Sequence, residues 1–155
     1  MALKPDRNYN QGVEIRYHMH EVASRGVVVV FDTSTSGSGA GMDDAGCRVK
    51  LPDNDNGSGE VPAGVLLCDV VDKDLTQTHL NAHKDQMQLG SKVTVLRKGV
   101  ICTDRLETGL SPSAGSSAYF TQNGLFSMDA TNSTRLGTFL TAKDSGGFAT
   151  IDINL

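Results

Sequence analysis

The amino-acid sequence predicts a mainly β protein, a small antiparallel β-barrel or β-sandwich with an extended N-terminal arm and one short helix. Short runs rich in β-branched residues alternate with turn clusters of Gly, Asn and Asp. The chain has 155 residues, enough for one domain that buries roughly 70% of its unfolded surface. We therefore expect residues 1–25 to form the arm and residues 26–155 to form a single β domain.

The first 25 residues mix charged positions with scattered apolar ones. Pro5, Asn8, Asn10 and Gly12 argue against an early regular element. We interpret this segment as an extended arm that gains order against a partner, so the β body should fold without it.

Residues 27–31 (VVVVF) form an unbroken, β-branched run between Gly26 and Asp32. Such a run is typical of a strand buried on both faces, so we expect it at the core. Residues 33–46 are small, polar and Gly-rich, which predicts a loop. A short strand at residues 47–51 (CRVKL) and a second turn cluster, PDNDNGSG, should follow.

Two further runs predict strands. In residues 61–71 (VPAGVLLCDVV), Pro62 and Gly64 mark the start of a strand or a bulge, where ladder hydrogen bonds would be missing. Residues 92–103 (KVTVLRKGVICT) alternate well but are interrupted at Gly99, so they predict one bent strand or two strands around a bulge.

Between these runs, residues 74–88 predict the short helix. Asp74 can cap its N-terminus, with Gln77 three residues later in a variant of the capping box. Residues at roughly helical spacing follow: Leu75, Thr78, Leu80, Ala82, His83 and Met87.

The end of the chain carries the clearest signals. Asn123 and Gly124 lie between two strand-like runs within residues 118–128, which predicts a hairpin with a type I′ turn. Residues 139–155 repeat this plan around a turn at 144–147. Alternate apolar residues should then share one face of the closing strand: Ala149, Ile151, Ile153 and Leu155.

Composition disfavours several classes of function. The net charge is -4 and no basic run is interleaved with aromatic residues, so we expect no direct binding to nucleic acid. No apolar run approaches the ~20 residues of a membrane span, and no signal peptide is evident, so we expect synthesis in the cytoplasm and no membrane partner. Cys47, Cys68 and Cys102 are odd in number and lack a CxxC pair, which favours buried free thiols.

His79 and His83 are spaced like two zinc ligands on a helix. A catalytic zinc helix also needs a glutamate beside the first histidine, and Leu80 occupies that place. His18 and His20 could supply further ligands, but they lie in the arm. We therefore favour a solvated helix face and predict no metal.

Two other stretches resemble ligand-binding loops without matching them. The turn at residues 53–57 (DNDNG) is similar to a calcium loop, but Ser58 and Gly64 stand where that loop needs Gly and Glu. Residues 37–41 (GSGAG) lack the Gly-Lys-Ser/Thr and the helix of a phosphate-binding loop. We interpret both as plain loops and predict no cofactor and no catalytic residues.

One enzyme family is kept as the alternative. Residues 43–46 (DDAG) and 145–150 (SGGFAT) resemble the first and last motifs of trimeric dUTPases, which are β-fold nucleotide hydrolases. Those enzymes also use an Arg-Ser pair on phosphate and an Asp-x-Asp-Tyr segment. The nearest stretches here, residues 111–113 (SPS) and 72–75 (DKDL), lack the Arg and the Tyr.

A second resemblance covers most of the chain in order. Residues 61–104, the opening MALKPDR and the closing residues 136–155 resemble head decoration, or cement, proteins of tailed bacteriophages. The most specific pieces are Pro62-x-Gly64-Val65, Asp69-Val70-Val71, Leu80-x-x-His83-Lys84-Asp85 and the strand that ends near Thr103.

That resemblance implies a non-enzymatic structural protein of the virion. It would lie on the outer head surface, bind the major capsid protein, and clamp neighbouring capsomers, as a homo-oligomer with a homotrimer favoured. We expect its capsid or subunit interface to include residues of the arm: Lys4, Arg7, Tyr9, Arg16 and Tyr17.

Overall fold

The computed structural model describes residues 3–4, 12–33, 48–73 and 86–155. These residues form twelve strands and two short 3₁₀ turns, at Asp55–Gly57 and Gln122–Gly124, so the mainly β prediction is confirmed. The strands are β1 (Leu3–Lys4), β2 (Gly12–Met19), β3 (Val28–Phe31), β4 (Arg48–Lys50), β5 (Pro62–Leu66), β6 (Asp69–Val71), β7 (Gln86–Gln88), β8 (Lys92–Thr103), β9 (Ser117–Phe120), β10 (Phe126–Ser127), β11 (Gly137–Phe139) and β12 (Ala149–Asn154).

The long strand β8 has neighbours along both of its edges. Leu96 pairs with Val13 of β2 and with Val65 of β5, so β2 and β5 lie on opposite edges. Cys102 and Thr103 likewise pair with both β1 and β12, which therefore also lie on opposite edges. The first half of β8 thus belongs to one sheet region and the second half to another.

The first half of β8 closes a five-stranded barrel in the order β8–β2–β4–β3–β5 and back to β8. All of these pairings are antiparallel except β2 with β4, which is parallel. The second half continues through β12, β11 and β9 to β10 as an outer sheet. Of the two predicted architectures, the barrel is the one that forms.

Strand β3 separates two hydrophobic cores. Val29 lies with Val27 in the barrel interior, whereas Val28 and Val30 lie in the core between the barrel wall and the outer sheet. Alternate residues of a strand point to opposite faces, so a strand with a core on each side must be apolar throughout. The prediction of a strand buried on both faces is confirmed, since Val28, Val29 and Val30 are all 0% exposed.

The prediction that no regular element forms before residue 25 is wrong for residues 12–19. They form β2, and Tyr17 and Met19 at its end lie in the barrel core. The breakers that suggested an arm all precede or begin this strand. Residues 13–19 (VEIRYHM) alternate strictly between apolar and polar types, and that period of two is the signal of a strand with one buried face. The β body therefore includes β2 and cannot fold as this barrel without it.

The predicted helix is wrong at its C-terminal end. Residues 74–85 lie outside the described part of the chain, but Gln86–Gln88 is a strand, β7, and not a helical turn. Met87 pairs with Val70 in a parallel two-stranded sheet, and the backbone N–H of Leu89 donates to the carbonyl of Val71 at 3.0 Å. Pairing with β6 thus overrides the apparent helical spacing.

Most other predicted strands are confirmed. Residues 92–103 form one continuous strand with a φ of 145° at Gly99, and β5 begins at Pro62. The final strand buries Ala149, Ile151 and Ile153 on one face, as predicted, and Leu155, which follows the strand, is half-buried against the same core.

The turn before that strand is held by Asp144. Its Oδ1 accepts hydrogen bonds from the backbone N–H groups of Gly146 and Phe148, each at 2.8 Å. A hairpin turn therefore accounts for the Gly-Gly-Phe sequence that resembled a dUTPase motif.

The hairpin between β9 and β10 is also confirmed, with positive φ at Asn123 (60°) and Gly124 (73°). Its loop is a three-residue 3₁₀ turn and not a two-residue turn, because the N–H of Thr121 bonds to the carbonyl of Leu125 at 2.9 Å. A Cβ at Gly124 would overlap the carbonyl oxygen of Val28 and lie 3.0 Å from the Cβ of Val27. The loop tip thus packs directly on β3.

Replacing Gly124 by alanine should destabilise the protein by two mechanisms. Positive φ disfavours any Cβ by about 1–2 kcal/mol, and the overlap with β3 adds about 1–3 kcal/mol of overpacking. Gly109→Ala is the matched control, since Gly109 has φ +83° but nothing within 4 Å of a built Cβ. In urea unfolding, Gly124→Ala should lose clearly more free energy of unfolding than Gly109→Ala; equal losses would contradict the close approach.

Met19→Ala should lower the free energy of unfolding by about 2–5 kcal/mol, because it leaves a cavity in the barrel core. Val13→Ala, on the same strand but 40% exposed, should cost less than about 1 kcal/mol. Denaturant titration of both variants measures the difference. If Met19→Ala were as mild as Val13→Ala, β2 would not be an integral barrel strand.

Candidate functional site

The described residues contain no group of three or more His, Cys, Asp or Glu side chains arranged to hold a metal ion. His79 and His83 lie outside them. His18 is 8% exposed, and its Nδ1 lies 3.2 Å from the carbonyl oxygen of Gly90. That histidine is therefore packed within the fold.

At the acidic turn that resembled a calcium loop, the positive charge is supplied by a lysine side chain. The ammonium group of Lys50 contacts the Asp53 carboxylate and lies 3.7 Å from the Glu60 carboxylate. Glu60 also accepts hydrogen bonds from the backbone N–H groups of Asp53 (3.2 Å) and Asn54 (3.4 Å). Chiefly through its hydrogen bond to Asp53, the pKa of Lys50 is raised, which keeps the ammonium charged. These contacts support the interpretation of a structural turn.

The thiols are free where the structure describes them. Cys68 is buried and Cys102 is half-buried, whereas Cys47 lies outside the described residues. Burial raises the pKa of the Cys68 thiol and so keeps it protonated and unreactive. The prediction of buried free thiols is confirmed for Cys68.

The predicted interface residues separate into three groups. Lys4 is in β1 and pairs with Cys102 at the end of β8, and Arg16 is in β2. Arg7 and Tyr9 lie outside the described residues. Lys4 and Arg16 therefore belong to two strands that pair with the same central strand, β8.

The fifth predicted interface residue, Tyr17, lies in the barrel core. It is 3% exposed, and its ring meets the ring of Phe31 edge to face with centroids 5.6 Å apart. Such aromatic pairs stabilise a core by about 0.5–1.5 kcal/mol beyond the area they bury. In the folded chain Tyr17 thus anchors β2 to β3.

A groove that the sequence did not predict opens beside β6. It consists of two adjoining cavities with volumes of about 430 and 260 Å³, which share the lining residues Val22, Ala23, Ser24 and Arg105. We name it the Arg105 groove. Its other walls include residues of β6 and the loop at 123–125. Because these segments are distant in sequence, no local pattern could have indicated the groove.

One wall of the groove is stabilised by an ion pair between Arg25 and Asp69. The backbone N–H of Arg25 donates to Asp69 Oδ1 at 2.7 Å, and its Nε and Nη2 donate to Oδ2 at 3.1 and 2.8 Å. Ala23 and Val70 exchange backbone hydrogen bonds of 3.2 and 2.8 Å beside this pair. The segment at residues 23–25 is therefore fixed to β6.

This ion pair also sets the ionisation of Asp69. Burial alone would raise the pKa of its carboxyl, but the hydrogen bonds and the charge of Arg25 outweigh burial, so the pKa lies below the ordinary value of 3.8. The positive charge of Arg105 acts in the same direction. Asp69 is thus ionised at neutral pH, and its charge is matched by Arg25.

Arg105 lines both cavities. Its guanidinium has N–H groups that donate no hydrogen bond within the described residues. Its Nε is buried without a hydrogen-bond partner, and its closest ionic contact is Asp104 Oδ1 at 3.6 Å, which is too long for a hydrogen bond. The Arg105 side chain is still 38% exposed. Within the described residues, no group accepts a hydrogen bond from this guanidinium.

Comparison with known protein families identifies a match over most of the chain. The family described as structural cement protein (E217 gp24/Pam3 gp6) matches residues 10–154, which include every strand except β1. No curated protein matches the chain. Among the described residues, no helix is long and apolar enough to cross a membrane.

Asp69→Asn should lower the free energy of unfolding by about 1–2 kcal/mol at neutral pH, because it weakens charged hydrogen bonds that are partly exposed. The folded pKa of Asp69 lies below its unfolded value. The difference between wild type and variant should thus be complete above the ordinary value of 3.8 and disappear as pH falls below it.

Unfolding in urea between about pH 6 and about pH 2.5 measures this dependence. Asp152→Asn is the control, since Asp152 is exposed and has no ion pair or side-chain hydrogen bond within the described residues. A difference for Asp69→Asn that persists unchanged to the lowest pH would rule out the carboxylate charge as its origin.

Proposed function

The chain belongs to the phage structural cement proteins, and from that premise we propose that it binds the outer surface of an icosahedral head and stabilises contacts between capsomers. The observation that carries the proposal is the family match over residues 10–154. The resemblance of residues 61–104 to head decoration proteins supports the same role. We propose no catalytic residue and no cofactor.

The architecture suits a protein that holds neighbouring capsomers together. A closed barrel leaves no free strand edge, and its wall also forms one side of the second core. The barrel and the outer sheet share β8, so force applied to one is passed through backbone hydrogen bonds to the other. A body that is rigid before it binds loses little conformational freedom on binding.

We propose that the major capsid protein is the partner and that residues near the N-terminus take part in the interface with the shell or with a sister subunit. Lys4, Arg7, Tyr9 and Arg16 are the candidates, while the burial of Tyr17 favours a role in the core. We favour a homotrimer as the assembly, as the resemblance to head decoration proteins implies, and closed symmetry is the usual form of homo-oligomers. The net charge of -4 favours neither nucleic acid nor an anionic membrane as a partner.

The test is addition of purified protein to expanded, undecorated heads of the phage that encodes it. Binding should saturate and should raise the temperature at which the heads open. Lys4→Glu and Arg7→Glu should each weaken binding about fivefold, with a smaller effect as salt rises, because exposed charge pairs are screened within ~8 Å.

Lys143→Glu is the matched control, since Lys143 is exposed on the turn before β12. It should bind within about twofold of wild type. Heads that never bind the wild-type protein would refute the cement role. Equal binding by all three variants would refute only the proposed part of the N-terminal residues.

A further inference from the structure

The Arg105 groove contains a guanidinium whose hydrogen-bond donors are unused within the described residues. Arg25 and Asp69 satisfy each other through three hydrogen bonds. Asp104 gives Arg105 an opposite charge at 3.6 Å but no hydrogen bond, and its own Oδ1 is buried without a hydrogen-bond partner. A guanidinium has five N–H donors, so Arg105 retains donors for an external carboxylate.

The groove also has an apolar rim. Val22 is 58% exposed at the opening of both cavities, and Ala23 and Val27 continue the apolar lining. Arginine is enriched in protein interfaces and among the residues that dominate their binding energy. An exposed apolar side chain beside it offers surface that a partner can bury. The combination fits a segment that carries an apolar residue beside an acidic one.

Two of the lining residues, Arg105 and Arg25, are held in place by the fold. The backbone N–H of Arg105 donates to Thr103 Oγ1 at 3.1 Å, and its carbonyl accepts from the N–H of Phe126 at 2.8 Å. Arg25, which also lines the groove, is held by its ion pair with Asp69. Binding here therefore orders little backbone, which favours affinity.

The geometry points to the Arg105 groove as the docking site for an acidic segment of the major capsid protein, with an Asp or Glu carboxylate on Arg105 and an apolar neighbour on Val22. This inference rests on the proposed cement function and names the contact that would carry it. The unused N–H donors of Arg105 select the occupant, since a carboxylate accepts such hydrogen bonds and a basic side chain does not.

The experiment compares the affinity of variants for expanded, undecorated heads. Arg105→Gln removes the charge and keeps most of the side-chain volume, and it should weaken binding at least about tenfold. Val22→Asp places a carboxylate at the rim and should weaken binding similarly. Because Val22 is largely exposed, that variant should fold even if Arg105→Gln were unstable.

Arg135→Gln is the matched control. Arg135 is an exposed arginine whose Nε and Nη2 bond to the Gly137 carbonyl and to Thr138 Oγ1, outside the groove. This variant should bind heads within about twofold of wild type. Hydrogen exchange supplies a second readout, since amides of residues 22–25 and 69–71 should become more protected on the head.

Each other result contradicts the inference in a distinguishable way. If wild type binds heads and both groove variants bind as well, the docking site is wrong and the cement role stands. If wild type binds no heads, both fail. If Arg105→Gln changes the subunit number in sedimentation, a second copy fills the groove. If residues 74–85 are protected in the free protein and lose protection in Arg105→Gln, the chain's own segment fills it.

Discussion

The fold depends on one strand that is hydrogen-bonded on both edges along most of its length. β8 pairs with β2 and β1 on one edge and with β5 and β12 on the other. Pairing of Val65 with Leu96 and of Leu66 with Val95 closes the barrel. The same strand then continues past Gly99 as the first strand of the outer sheet. If β8 lost its register, the barrel and the outer sheet would be lost together.

Two cores follow from this arrangement, and they share a wall. The barrel interior and the layer under the outer sheet are separated by strands such as β3, whose side chains pack into both. Gly124 fits the hairpin between β9 and β10 against the same strand, because no Cβ stands between its backbone and the Val28 carbonyl. Deformation of one layer must therefore disturb the other.

The predicted interface residues and the Arg105 groove differ in how far the sequence could predict them. The charged residues near the N-terminus could be proposed from the sequence because they are close together in it, yet Tyr17 proved to be a core residue. Its neighbour two positions on, Met19, is fully buried, and the alternating pattern of residues 13–19 contained that information. The Arg105 groove, in contrast, combines residues near positions 22, 70, 105 and 125, which no spacing rule connects.

Local patterns in the sequence were sufficient to predict the mainly β class, the doubly buried strand at residues 27–31, the hairpin at Asn123 and Gly124 and the alternating final strand. These features depend on side-chain period and on turn residues, which act over a few neighbours. Tertiary structure decided that residues 12–19 join the barrel, that Gln86–Gln88 is a strand and that Arg105 faces a groove. Those outcomes depend on pairing with β8 and β6 and on packing between distant segments. The energy of such contacts depends on residues far apart in the chain, so no local pattern predicts it.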